Sequence, residues 1–197
     1  MFAPVEDECA GDSNCNKCQQ LCVYNETVGG CGCACMEGFT LHCDEVTCKR
    51  DNDYEGNQPG SDGCPGDDWF RVDQYCYKAS EKILSYDEAV DYCNEHGGHV
   101  ATLTNREQNF WVGYQFEKNT DVYWIGYTNG YKDAEGGWKW QDGSSTNFER
   151  WFDSHPTEEG QGRGGTCVMA NWSFEGEWYS LQCAGYKAKA ACSVRAN

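Results

Sequence analysis

Basic side chains are scarce in this chain: 15 Lys and Arg stand against 32 Asp and Glu, a formal net charge of -17 over 197 residues. Phosphate binding draws its affinity from Lys and Arg, so the balance argues against nucleic acid as a partner. Long apolar runs are missing as well. No stretch approaches the roughly 20 apolar residues of a membrane span, so none is expected. The start, Met1-Phe2-Ala3-Pro4 followed almost at once by acids, has neither the basic head nor the apolar core of a signal peptide. The expectation is a mature or truncated chain whose export signal has been removed. Catalytic constellations are lacking too. His155 stands alone, without a nucleophile and orienting partner or a set of ligands at metal spacing, so no enzyme is expected.

What the chain has in excess is cysteine: 15 residues, nine between Cys9 and Cys48 and six from Cys64 to Cys192. Such usage points to an oxidising, extracellular compartment and to a secreted protein whose small modules need cross-links to offset chain entropy. An odd total leaves at least one thiol without a partner in its own chain, free to bridge two chains. Acid is concentrated at the front, where 14 Asp and Glu face 3 Lys and Arg through Asp68. That front can attract basic partners, calcium or a mineral surface, or simply serve as a solvated face.

Residues 5–48 hold too little hydrophobic content for a packed core. Asp7-Glu8-Cys9, Cys18-Gln19-Gln20-Leu21-Cys22, Gly29-Gly30-Cys31-Gly32-Cys33-Ala34-Cys35 and the closing Gly38-Phe39-Thr40-Leu41, Asp44 and Cys48 resemble an EGF-like module of the calcium-binding type. The resemblance implies the bridges Cys9 to Cys22, Cys18 to Cys33 and Cys35 to Cys48, with Cys15 able to exchange roles with Cys18. It leaves Cys15, Cys31 and Cys43 as extra cysteines, and Cys31 stands where the family usually has an aromatic residue. It also implies oxygen ligands for calcium, for which Glu8 and Asn25 are the candidates, although Val5 stands where an acid is expected. Asn25-Glu26-Thr27 is a glycosylation sequon that would compete with that role. A metal-thiolate cluster is the alternative reading of the crowded cysteines, set against the oxidising context.

Residues 49–63, mostly Asp, Asn, Gly and Ser, read as an exposed linker. From Cys64 the text changes. Ser85-Tyr86-Asp87-Glu88 is a capping box opening a helix with Tyr86, Ala89, Val90 and Cys93 on one face and Gly97-Gly98 as its stop. Thr104-Asn105-Arg106-Glu107 is a second box, before a helix burying Phe110, Trp111 and Tyr114. Strand-like runs follow over 122–127, 137–140, 167–170 and 177–181, giving an α+β domain. Cys64-Pro65, Trp69, Cys76-Tyr77, Trp124-Ile125-Gly126, Trp138-Lys139-Trp140, Asp142-Gly143, Cys167, Gly176, Trp178, Cys183 and Cys192 together resemble a C-type lectin-like domain over 64–197. The resemblance implies two helices, short antiparallel strands and a long loop, with bridges Cys64 to Cys76, Cys93 to Cys192 and Cys167 to Cys183. Trp124, Trp138, Trp140 and Trp178 are expected to pack the core.

Sugar-binding members of that family hold calcium with a Glu-Pro-Asn or Gln-Pro-Asp triplet and an Asn-Asp pair. Here the triplet position reads His155-Pro156-Thr157 and the pair reads Tyr179-Ser180. A hard cation wants carboxylate and carbonyl oxygens, so the standard sugar site is expected to be lost while Pro156, usually cis in the family, still shapes the loop. Trp151, His155, Thr157, Glu158, Glu159, Tyr179 and Ser180 are the candidate ligand-binding residues, with Glu158 and Glu159 offering a shifted calcium position. Asn171-Trp172-Ser173 is a second sequon, with Asn171 as glycan acceptor. The expected function is extracellular recognition or adhesion, its ligand a protein or a glycan; the alternative is a disulfide-linked extracellular assembly or matrix.

Overall fold

The computed structural model describes residue 18 and residues 21–25, 30–35, 39–41, 48–50, 60–116, 122–132, 137–157, 165–170 and 176–197, with only the backbone for 21–25 and 49–50. Glu8, Cys9, Cys15, Cys43, Glu158, Glu159 and Asn171, together with the side chains of Cys22 and Asn25, lie outside the described residues. The chain divides into two compact units, 1–58 and 59–197.

In the first unit, β1 (Leu21–Asn25) pairs antiparallel with β2 (Gly30–Ala34), and β3 (Phe39–Leu41) with β4 (Cys48–Arg50). Disulfides join Cys18 to Cys33 and Cys35 to Cys48, tying each hairpin to sequence beyond it. Cys31 is also disulfide-bonded, to a partner outside the described side chains.

The second unit opens with a hairpin of β5 (Phe70–Val72) and β6 (Tyr75–Leu84), followed by α1 (Tyr86–Glu95), β7 (His99–Val100) and α2 (Arg106–Phe116). Among the described residues five further strands follow: β8 (Tyr123–Asn129), β9 (Trp138–Trp140), β10 (Thr166–Ala170), β11 (Trp178–Gln182) and β12 (Ala188–Arg195). Strands run in the order β11-β10-β8-β12-β6-β5, with β7 beside β12 and β9 beside β8. The final strand β12 thus lies at the centre, antiparallel to β6 and parallel to β8.

Local chemistry explains the helix ends. Ser85 caps α1 reciprocally with Glu88, and Tyr86, Ala89 and Cys93 are buried. At the other end Gly97, with φ 79°, gives its N–H to Asn94 O while Gly98 gives its own to Cys93 O. This is a Schellman closure, and the positive φ favours glycine. The cap of α2 falls one residue later than the sequence box: Asn105 Oδ1 accepts from the Gln108 N–H at 2.8 Å, and Gln108 Oε1 accepts from the Thr104 N–H at 2.8 Å. Both boxes fit the pattern, and Asn105 prevails because its amide also donates to Asp73 Oδ2 at 2.9 Å. Phe110 and Trp111 are buried, whereas Tyr114 is only half-buried; it sits beside them at the helix surface, in ring contact with both.

Strands β8 and β10 are covered on both faces, which accounts for their nearly continuous apolar text. In Trp124-Ile125-Gly126 the glycine is set by proximity, since a Cβ there would come within 2.4 Å of Val100 O. Three disulfides secure the unit: Cys64–Cys76 across the opening, Cys93–Cys192 from α1 to β12, and Cys167–Cys183 from β10 to the end of β11. Trp124, Trp140 and Trp178 are buried, while Trp138 remains half-exposed at the edge of a ring cluster.

Asn109 and Trp178 form a buried polar joint. Asn109 Oδ1 accepts from Trp178 Nε1 at 2.7 Å, and Asn109 Nδ2 donates to Gly176 O at 3.1 Å. Asn109→Leu orphans both partners inside the protein, and a loss of about 2–4 kcal/mol is expected in denaturant unfolding. A second expectation concerns acid. Hydrogen bonds from Tyr131 and then Lys132 hold the Asp87 carboxyl below its ordinary value. A depressed folded-state pKa stabilises fully above the unfolded value near 4 and fades as pH falls through the folded one. Asp87 is exposed, so Asp87→Asn should flatten the acid limb of the stability profile by under about 1 kcal/mol.

Candidate functional site

After β9 the chain leaves regular structure at Gln141 and returns to the sheet at β10. Its first part is pinned: Asp142 closes an Asx turn on Ser144 N, and Thr146 Oγ1 donates to Thr104 O at 2.9 Å. At 150–152 the loop lies along the outer edge of β11. Trp178 N donates to Arg150 O at 2.7 Å, Phe152 N donates to Trp178 O at 3.0 Å, and Trp151 forms a parallel bridge with Trp178. An extended segment alternates its side chains, so Trp151 and Phe152 point to opposite sides.

On the Phe152 side, Phe152 stacks on Tyr179 at 4.8 Å between centroids, and Tyr179 in turn meets the His155 ring at 4.3 Å. The peptide bond between His155 and Pro156 is cis. His155 Nδ1 lies 2.9 Å from Ser180 Oγ and accepts the Ser180 backbone N–H at 3.1 Å. A backbone N–H can only donate, so Nδ1 carries no proton and the neutral ring bears its proton on Nε2. Ser180 Oγ accepts the Thr157 N–H at 2.8 Å and turns its own hydrogen toward His155. Partial desolvation, then the Glu177 and Asp153 carboxylates, push the Tyr179 phenol above its ordinary pKa.

Of the residues singled out from sequence, His155, Thr157, Tyr179 and Ser180 come together. His155, Thr157 and Ser180 form a small polar latch across the edge of β11. The imidazole takes up an edge N–H that would otherwise be open to another strand. Trp151 stands apart from this group, on the opposite side of its segment. It contacts the Trp138 ring at 4.9 Å and the buried Trp178 at 5.7 Å. Among the described residues no group of three or more His, Cys, Asp and Glu is placed to hold a metal ion.

Sequence reading passed over Glu149. Its Oε1 accepts from Tyr127 OH at 2.8 Å and its Oε2 from Trp151 Nε1 at 3.0 Å. Burial first, then that hydrogen bond, raises the Tyr127 phenol well above its ordinary range. The signal available was the spacing: two residues apart in an extended segment, Glu149 and Trp151 share a side.

Ser180→Ala removes the oxygen that accepts the Thr157 N–H and faces His155. Amide hydrogen exchange at Thr157 should accelerate about tenfold, matching the loss of roughly 1–1.5 kcal/mol of net hydrogen bonding, while α1 and β12 keep their protection.

The comparisons with known proteins agree with this architecture. The Lectin C-type domain model matches residues 82–194. A snaclec subunit of Philodryas olfersii is 32% identical over 127 residues, covering 61% of this chain and 72% of that protein. The asialoglycoprotein receptor 1 of Mus musculus is 33% identical over 134 residues, 66% of this chain and 44% of the receptor, so this chain spans under half of that relative. Among solved structures, the mouse scavenger receptor C-type lectin carbohydrate-recognition domain superposes with a TM-score of 0.57 at 25% identity, covering 68% of this chain and all of that domain. With the family model spanning more than half of its length, the chain belongs to the C-type lectin domain family.

Proposed function

We propose that this protein is an extracellular recognition or adhesion molecule whose lectin-like head, residues 64–197, binds a protein or a glycan through its long-loop face without the family's calcium cage. One observation carries the proposal. The positions that in sugar-binding members supply carboxylate and amide oxygens hold an imidazole and three hydroxyls, and His155 Nδ1 and the Thr157 N–H are both bonded to Ser180. Calcium takes six to eight oxygen ligands, several of them anionic. This donor set does not fit it. What the face offers is the Phe152, Tyr179 and His155 ring ladder, with Thr157 beside it. Rigid, amphipathic rings give large contact area at little entropy cost, whether the ligand is a protein or a sugar.

In the same reading residues 5–48 are an EGF-like stalk and 49–63 a linker, with Glu8 and Asn25 the oxygen donors for any calcium in the stalk and Asn25 and Asn171 the glycan sites. The relatives named as a receptor and a snaclec favour secretion or surface display and a recognition role over catalysis.

A glycan array read with and without EDTA tests the head. Binding that survives EDTA, or no glycan binding together with capture of a protein ligand, is expected; strong EDTA-sensitive binding of mannose or galactose would sink the proposal.

A second reading, covalent assembly, is favoured by the cysteine count. Eleven cysteines with described side chains are disulfide-bonded, and one remaining cysteine is needed by Cys31. Of Cys9, Cys15, Cys22 and Cys43, at least one therefore lacks a partner within the chain. With the EGF-like pairing of Cys9 to Cys22, the spare thiol is Cys15 or Cys43. Non-reducing electrophoresis should then show a dimer band that Cys15→Ser or Cys43→Ser abolishes, whereas a purely monomeric band counts against assembly.

A further inference from the structure

We infer that Trp138, Trp151 and Glu149 form a docking corner for an arginine side chain presented by a basic partner protein. The corner lies on the side of the loop segment opposite the His155 latch and does not depend on what fills the long-loop face.

Its floor is a stack of rings. Tyr127 is nearly buried between Trp138, at 5.1 Å, and Trp140, at 4.7 Å, both close to parallel with it. Trp151 leans on Trp138 at 4.9 Å with its plane tilted by 59°. Trp138 and Trp151 are each half-exposed, so two indoles in mutual contact present area to solvent above a packed core. Neither can swing freely. Trp138 is held by strand pairing opposite Asn129, and Trp151 by its bridge to Trp178 and its Nε1 bond to Glu149. Such preorganisation lowers the entropy lost on binding.

Glu149 gives the corner its sign. It is exposed, and each of its oxygens accepts one hydrogen bond from the ring system beneath. A carboxylate has about four acceptor sites, so the outward lone pairs stay open to a second donor. Among the described residues no Lys or Arg is ion-paired with it. Lys139 projects from the opposite face of β9, and the Arg150 side chain is turned inward and buried. The result is an uncompensated carboxylate beside two indole faces, on a chain of net charge -17.

That combination selects the ligand's chemistry. A guanidinium is planar, stacks on indole faces and bonds a carboxylate through a fixed fork, whereas a lysine ammonium is a compact, strongly hydrated point charge. The chain's net acidity favours encounter with a basic partner.

The test uses the whole chain, ¹⁵N-labelled, whose eight tryptophans each give an indole N–H signal; Trp138→Phe and Trp151→Phe assign the two that matter. Titration with a blocked glycine-arginine-glycine peptide should move the Trp151 and Trp138 signals and leave the buried Trp124 and Trp178 signals in place. The lysine peptide and Glu149→Gln should each weaken the response about fivefold, and raised salt should weaken it too. Equal response to lysine, indifference to salt, a response to choline alone, or no movement of these two signals overturns the inference. Should Glu149→Gln disturb the Trp124 and Trp178 signals and so the fold, the arginine–lysine and salt comparisons on the unaltered chain decide. The long-loop reading is unaffected by any of these outcomes, since its EDTA test uses none of them.

Discussion

The disulfide between Cys93 and Cys192 closes a span of 99 residues and fixes α1 to β12. In the chain-entropy picture a loop of about that length removes roughly 4–5 kcal/mol of unfolded-state freedom. Its placement matters as much as its size. β12 is the last strand in sequence but lies at the centre of the sheet, between β6 and β8 and touching β7. The domain's opening and closing segments are therefore paired, and everything between them, the long loop included, is an excursion from a closed base.

Trp178 carries that rigidity outward. Its ring is fully buried against Trp140, Phe148 and Trp151, its Nε1 is held by Asn109 of α2, and its backbone takes both a donor and an acceptor from the loop. One residue thus joins helix, sheet edge and loop. The proposed recognition surface is for this reason a shaped one. Phe152 and Trp151 face opposite ways because their shared segment is pinned to β11, and two ring surfaces of different character result. One is built on Tyr179 and the His155 latch, with the Glu177 and Asp153 carboxylates acting on the phenol, and the other carries the Glu149 carboxylate.

Much of the fold was legible in the residues, for reasons that differ from motif to motif. Ser85 and Glu88 mark the start of α1 because capping is a local event, and Gly97-Gly98 mark its end for the same reason. The α2 cap was displaced from Thr104 to Asn105 because a distant residue, Asp73, joins the network. Trp138 was grouped with the core tryptophans by type, yet its burial depends on what lies across from it. At β9 the strand is short and at the margin of the sheet, so the ring stays half-exposed. Glu149 carried no signal in isolation, since a single carboxylate in a loop becomes informative only once its two donors are known.

Sequence by itself determined that the chain is acidic, cross-linked and built on a C-type lectin scaffold, since net charge, cysteine spacing and the ordered tryptophan motifs are properties of the text. It also determined which atoms stand at the triplet and pair positions, and hence that they bring an imidazole and hydroxyls where a cation would want carboxylates. Tertiary structure decided what those atoms do. Residues 155–157 and 179–180 are more than twenty positions apart, and only the docking of the loop on β11 lets His155 and Thr157 bond to Ser180. The same docking places Trp151 against Trp138 and lets Glu149 bond to Tyr127, because hydrogen bonds and ring contacts act over a few ångströms and only the fold can bring distant residues that close.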